Sequence, residues 1–235
     1  AQVADAAGNQ SAAGSAYTAT IDTTAPTTTA AVTSITDNAG VITGNVASGS
    51  TTDDTSLVIG GTVSASLPAG ESVRIYDGST FLGTATVSGT SWSYTDSRTL
   101  NDAQSVSYTA QVADAAGNQS AAGSAYTATI DTTAPTTTAA VTSITDNAGV
   151  ITGNVASGST TDDTSLVIGG SISASLADGE SVRIYDGSTF LGTATVSGTS
   201  WSYTDSRTLT NAQSVSYTAQ VADSAGNQSA AGSAY

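Results

Sequence analysis

The segment AQVADAAGNQSAAGSAY fills residues 1–17, returns at 110–126, and returns again at 219–235 with Ser224 in place of Ala, so the chain repeats every 109 residues, from Ala1 to Ala110. A period this long constrains the fold more than any single motif. Aligned, Thr18–Tyr126 and Thr127–Tyr235 differ at seven positions: Thr62/Ser171, Val63/Ile172, Pro68/Ala177, Ala69/Asp178, Asn101/Thr210, Asp102/Asn211 and Ala115/Ser224. A unit of this size can bury its own core, whereas solenoid repeats of roughly 20 to 45 residues fold only by stacking. The expectation is separate domains joined end to end: 1–22 as the last strands of a preceding repeat, 23–131 as one unit, and 132–235 as another with a truncated last strand.

Within a unit the apolar residues alternate. Leu57, Ile59, Gly61, Val63, Ala65 and Leu67 recur at every second position, the pattern of a half-buried strand. Val73 and Ile75 lead through the Asp77-Gly78 turn to Phe81, Gly83, Ala85 and Val87, which reads as a hairpin. Trp92 with Tyr94, the run Val106, Tyr108, Ala110 and Val112, and the run Tyr126, Ala128 and Ile130 give three more strands. A further strand near Ala30–Ile35 opens the unit after Pro26. No apolar stripe has helical spacing, and the Thr, Val and Gly content opposes helix. About seven short strands per unit predict an all-β fold, a tandem of immunoglobulin-like Greek-key sandwiches with Trp92 in the core.

Composition excludes much chemistry. The chain has no His, Cys, Met or Lys, and its four Arg stand against 19 acids for a formal charge of −15. There is no Ser-His-Asp triad, thiol nucleophile, Schiff-base amine or conventional zinc site. A carboxylate pair for sugar hydrolysis could be drawn from the acids, but these lie in turns, and no enzyme is expected. Such a charge repels nucleic acid and anionic head groups. No apolar run approaches the ~20 residues that span a bilayer.

The acids are grouped into loop phrases: Asp22-Thr-Thr-Ala-Pro26, Thr36-Asp37-Asn38, Thr51-Thr52-Asp53-Asp54 and Asp114-Ala-Ala-Gly117-Asn118. In a sandwich of this strand order, Asp37, Asp53 and Asp54 of one unit, linker Asp131 and Asp223 of the next unit should meet at one junction. Clustered carboxylates repel unless a cation intervenes, and calcium accepts six to eight oxygens at flexible geometry where magnesium does not. The plainer reading is that Asp and Asn build turns; four phrases at both ends of a unit favour calcium.

Together, ADAAGNQS…YTATIDTTAP and ITDN…TTDDTSLVIGG resemble the bacterial immunoglobulin-like repeats of giant type I-secreted, RTX or biofilm-associated adhesins. The resemblance covers essentially the whole chain. It implies an extracellular, cell-surface stalk that holds a binding tip away from the cell, stiffened by Ca2+ at its junctions. Carried over by position, the calcium ligands would be drawn from Asp22, Asp37, Asp53, Asp54 and Asp114, with Asp131, Asp146, Asp162, Asp163 and Asp223 as their second-repeat counterparts. Ser56-Leu57 after the Asp pair departs from the family, which often has Pro there. The expected partners are neighbouring repeats and other copies of the protein. The competing readings are direct glycan binding by the repeats and self-association into filaments.

Overall fold

The computed structural model describes residues 1–235 and is all-β. Its strands in chain order are β1 (Ala30–Asp37), β2 (Gly44–Val46), β3 (Ser50–Thr52), β4 (Val58–Val63), β5 (Ser72–Asp77), β6 (Thr80–Thr84), β7 (Thr86–Ser88), β8 (Ser91–Thr95), β9 (Ser105–Ala113) and β10 (Tyr126–Ile130). The second set is β11 (Ala139–Asp146), β12 (Gly153–Val155), β13 (Val167–Ile172), β14 (Ser181–Asp186), β15 (Thr189–Thr193), β16 (Thr195–Ser197), β17 (Ser200–Thr204) and β18 (Tyr217–Ala222).

The first set forms two five-stranded sheets, ordered β2-β1-β4-β8-β7 and β3-β10-β9-β5-β6. Both contribute to one core of 18 buried residues, among them Ile35, Ile59 and Trp92 from one sheet and Ile75, Tyr108 and Ile130 from the other. Trp92 is buried as the alternation predicts, and its indole N–H donates to the Thr62 carbonyl at 3.1 Å. Opposite it in register stands Gly61, where a Cβ would overlap both the indole ring and the Ala31 carbonyl. That glycine exists to let the ring lie flat on the strand.

Several elements depart from the pattern. The strand predicted from Leu57 to Leu67 stops at Val63. The run Phe81–Val87 is two strands, because the chain leaves one sheet after Thr84 and joins the other at Thr86, with Ala85 buried between. β2 and β3 are three-residue strands without a legible period. The Asp77-Gly78 hairpin forms as expected, with Gly78 at φ 56°.

The second set repeats the first sheet as β12-β11-β13-β17-β16, but its other sheet holds only β15-β14-β18. Its core is smaller, 14 buried residues. Residues 1–22 enter no named strand; their only ladder contact is the Ala4–Gln10 bridge.

Candidate functional site

The acidic phrases first act as turn builders. Asp37 accepts the Ala39 N–H and the Thr52 hydroxyl, and Asp54 accepts the Asn38 and Ser56 N–H groups. Both carboxylates are buried and lock the β1–β2 loop to the segment after β3. The second unit repeats the arrangement: Asp146 takes the Ala148 N–H and the Thr161 hydroxyl, and Asp163 takes the Asn147 and Ser165 N–H groups. Asp22 and Asp131 each cap the N–H two residues on, at Thr24 and Thr133. Asp114 accepts the backbone and side-chain N–H of Asn118, and the side-chain bond in particular lowers its pKa.

Asp53 differs. Its Oδ1 is buried without a hydrogen-bond partner. Its carboxylate lies so close to Gly40, at φ 58°, that a Cβ there would overlap it. A Cβ at Gly226 of the second unit would lie 3.2 Å from Asp53 Oδ2 and 3.3 Å from the Ile42 nitrogen. The carboxylate is thus wedged between its own β1–β2 loop and the loop of the next unit. Desolvation, with the charges of Asp37, Asp223 and Asp54 added, raises its pKa to about 6. The counterpart Asp162 abuts Gly149 in the same way but is exposed.

Around Asp53 the two units are tied by polar contacts. The Asp53 N–H donates to the Ala225 carbonyl at 3.3 Å, and the Thr51 and Ser224 hydroxyls lie 3.1 Å apart. Asn227 donates its side-chain N–H to the Asp131 carbonyl at 2.8 Å. Asp223 holds that loop in shape by accepting the N–H groups of Ala225, Gly226 and Asn227. On the other side of the linker Asp102 accepts the Thr132 N–H at 2.7 Å and the hydroxyls of Thr132 and Thr133.

Of the five carboxylates expected at this junction, Asp37, Asp54 and Asp223 act on Asp53 electrostatically. Asp131 contributes its carbonyl, while its carboxylate turns back to its own linker. No group of three or more acidic side chains is arranged to hold a metal ion. What fits a hard cation is the all-oxygen donor set and the orphaned, desolvated oxygen of Asp53. No helix is long and apolar enough to cross a membrane.

Pattern reading missed Thr51, Ser224, Asn227 and Asp102. Two of them carried a signal, since Ser224 and Asp102 lie at positions where the repeats differ. A comparison with protein-family models finds no match, and no curated protein matches the sequence.

Proposed function

We propose that the chain is a non-enzymatic stalk segment of an extracellular, bacterial cell-surface adhesin, built of tandem immunoglobulin-like domains whose junctions are stiffened by calcium. The order β1-β4-β8-β7 facing β10-β9-β5-β6 supports the immunoglobulin-like part, because it reproduces the ABED and GFC sheet orders of that Greek-key sandwich. The observation that carries the calcium part is the Asp53 oxygen, buried without a partner and surrounded by like charge at the contact between units.

Calcium would supply the positive charge that this carboxylate lacks. Asp53 is the residue best placed to hold the ion, with Asp37, Asp54 and Asp223 as neighbours that would turn to share it. The rest of the joint works without the ion: Asn227 ties its loop to the linker carbonyl, and Asp102 clamps the linker threonines. Together they define the angle at which one unit leaves the other. Calorimetric titration of calcium into the chain and into Asp53→Asn tests this. Binding to the parent that weakens at least about tenfold in the variant, a change of about 1.4 kcal/mol, supports the reading; equal binding, or none to either, contradicts it.

A further inference from the structure

The four arginines of the chain are of two kinds. Arg98 and Arg207 each meet two carboxylates, Asp77 with Asp96 and Asp186 with Asp205. Arg74 and Arg183 pair with none, although the chain holds 19 acids. Each lies instead over a phenylalanine ring: the Arg74 guanidinium carbon stands 4.4 Å from the Phe81 centroid, and that of Arg183 stands 3.9 Å from Phe190. Strand alternation explains the placement. Val73 and Ile75 of β5 enter the core, so Arg74 and Tyr76 take the outer face of that sheet, beside Gln111 and Thr109 of β9 and Thr84 and Phe81 of β6.

This face has one apolar wall among polar groups. Phe81 is 45% exposed and Phe190 44%, the only large apolar side chains exposed on it in either unit. Tyr76 stands beside Phe81, ring centroids 5.5 Å apart and tilted by 54°, and its hydroxyl accepts from Gln119 at 2.7 Å. Gln111 donates to the Ser120 carbonyl. Each bond orients an amide whose oxygen can still accept a hydroxyl. The second unit repeats the set with Tyr185, Gln228 and Gln220. These groups match an acidic sugar: a guanidinium takes a carboxylate through two parallel N–H bonds, an aromatic ring takes the C–H face of a sugar, and amide oxygens take hydroxyls. A protein partner fits less well, since a stable interface covers about 800 Å² on each side around an apolar centre. Here the exposed apolar part is one phenylalanine among Thr and Gln.

We propose that the outer face of β9-β5-β6, and its equivalent on β18-β14-β15, binds the uronic-acid units of an acidic polysaccharide. Arg74 and Arg183 hold the carboxylate, and Phe81 and Phe190 stack on the sugar ring. The formal charge of −15 opposes a dense polyanion at a distance, which favours a polymer whose acidic sugars alternate with neutral ones. Each site alone is weak, because an exposed ion pair contributes little. Two copies 109 residues apart let one polymer engage both, and linked sites bind about 10²–10⁴-fold more tightly than either alone. The activity is separate from calcium at the joint, since it draws on cations and aromatic rings and none of the acidic loops takes part.

The test passes the chain, in chelator, over immobilised hyaluronan, unsulfated chondroitin and polygalacturonate, with binding read by surface plasmon resonance. Binding to at least one is expected. It should weaken at least about tenfold in Arg74→Gln with Arg183→Gln, and equally in Phe81→Ser with Phe190→Ser. All four side chains lie outside the two cores, so both variants are expected to melt cooperatively. Converting the polymer's carboxylates to methyl esters should weaken binding of the parent in the same way. Binding to none of the three polymers overturns the proposal, as does binding that survives both double variants or esterification. Light scattering reads the other occupant: self-association of the parent that is lost in Arg74→Gln with Arg183→Gln would assign the face to acidic loops of a second copy, and overturns the proposal too.

Discussion

Asp53 and Asp54 are neighbours in the chain with opposite surroundings: Asp54 accepts two backbone N–H groups, while Asp53 has a buried oxygen that accepts none. Four acidic phrases were visible as loop residues, but nothing in the order Thr51-Thr52-Asp53-Asp54 says that the second Asp is a satisfied turn cap and the first an orphan. The difference comes from what covers each: Asp54 meets the N–H groups of Asn38 and Ser56, and Asp53 meets glycines and other carboxylates. With its pKa raised to about 6 against the ordinary carboxylate value, the folded joint holds a proton more tightly than the unfolded chain. In chelator, the contribution of Asp53 should therefore be greatest below the ordinary aspartate range and be lost as pH rises through about 6. Asp53→Asn is expected to abolish that slope and to add on the order of 1 kcal/mol at neutral pH, after discounting for solvent screening. Thermal melts across pH check both. Asp96 works in the opposite sense: burial pushes its pKa up, but bonds from Arg98 and Tyr108 outweigh it, so its contribution is lost as pH falls. Gly61 is a second residue whose role depends on its neighbour, since the alternation places it in a strand but does not reveal the indole against it. Gly61→Ala is expected to cost about 1–3 kcal/mol in chemical denaturation by overpacking. Pro68 explains a smaller irregularity. Ala177 donates its N–H to Glu180, whereas proline has none to give, and Glu71 Oε2 is left buried and unpartnered.

At the scale of elements, period-two alternation marked the strands that face a core on one side and failed where the chain changes sheets. Phe81–Val87 alternates without interruption, yet it serves two sheets, because a strand can cross a sandwich at a small residue such as Ala85 without breaking its apolar rhythm. β2 and β3 were illegible for a different reason. Three residues carry no period, and β3 exists only through its partner, as the second unit demonstrates: the same Ser-Thr-Thr is no strand where β10 has no counterpart. Ile130→Ala is accordingly expected to destabilise the first unit by about 2–5 kcal/mol. It should also speed amide exchange at Asp131, whose N–H bonds to Thr52 of β3. Loss of stability without faster exchange there would separate core packing from the pairing of β3.

For the whole molecule, the period of 109 residues is matched by two sets of strands, each with its own core, and the contact between them uses residues that neither core needs. That contact joins the β1–β2 loop and β3 end of one unit to the Asp223–Asn227 loop of the next, through short loops with no memory of a sequence period. Its charge could be counted in advance but not its geometry. Calcium is proposed to stiffen this contact, and small-angle X-ray scattering of the dilute chain in calcium and in chelator measures the effect. A larger radius of gyration with a narrower spread of lengths in millimolar calcium than in chelator is the expected result. Identical scattering curves in the two conditions would contradict it.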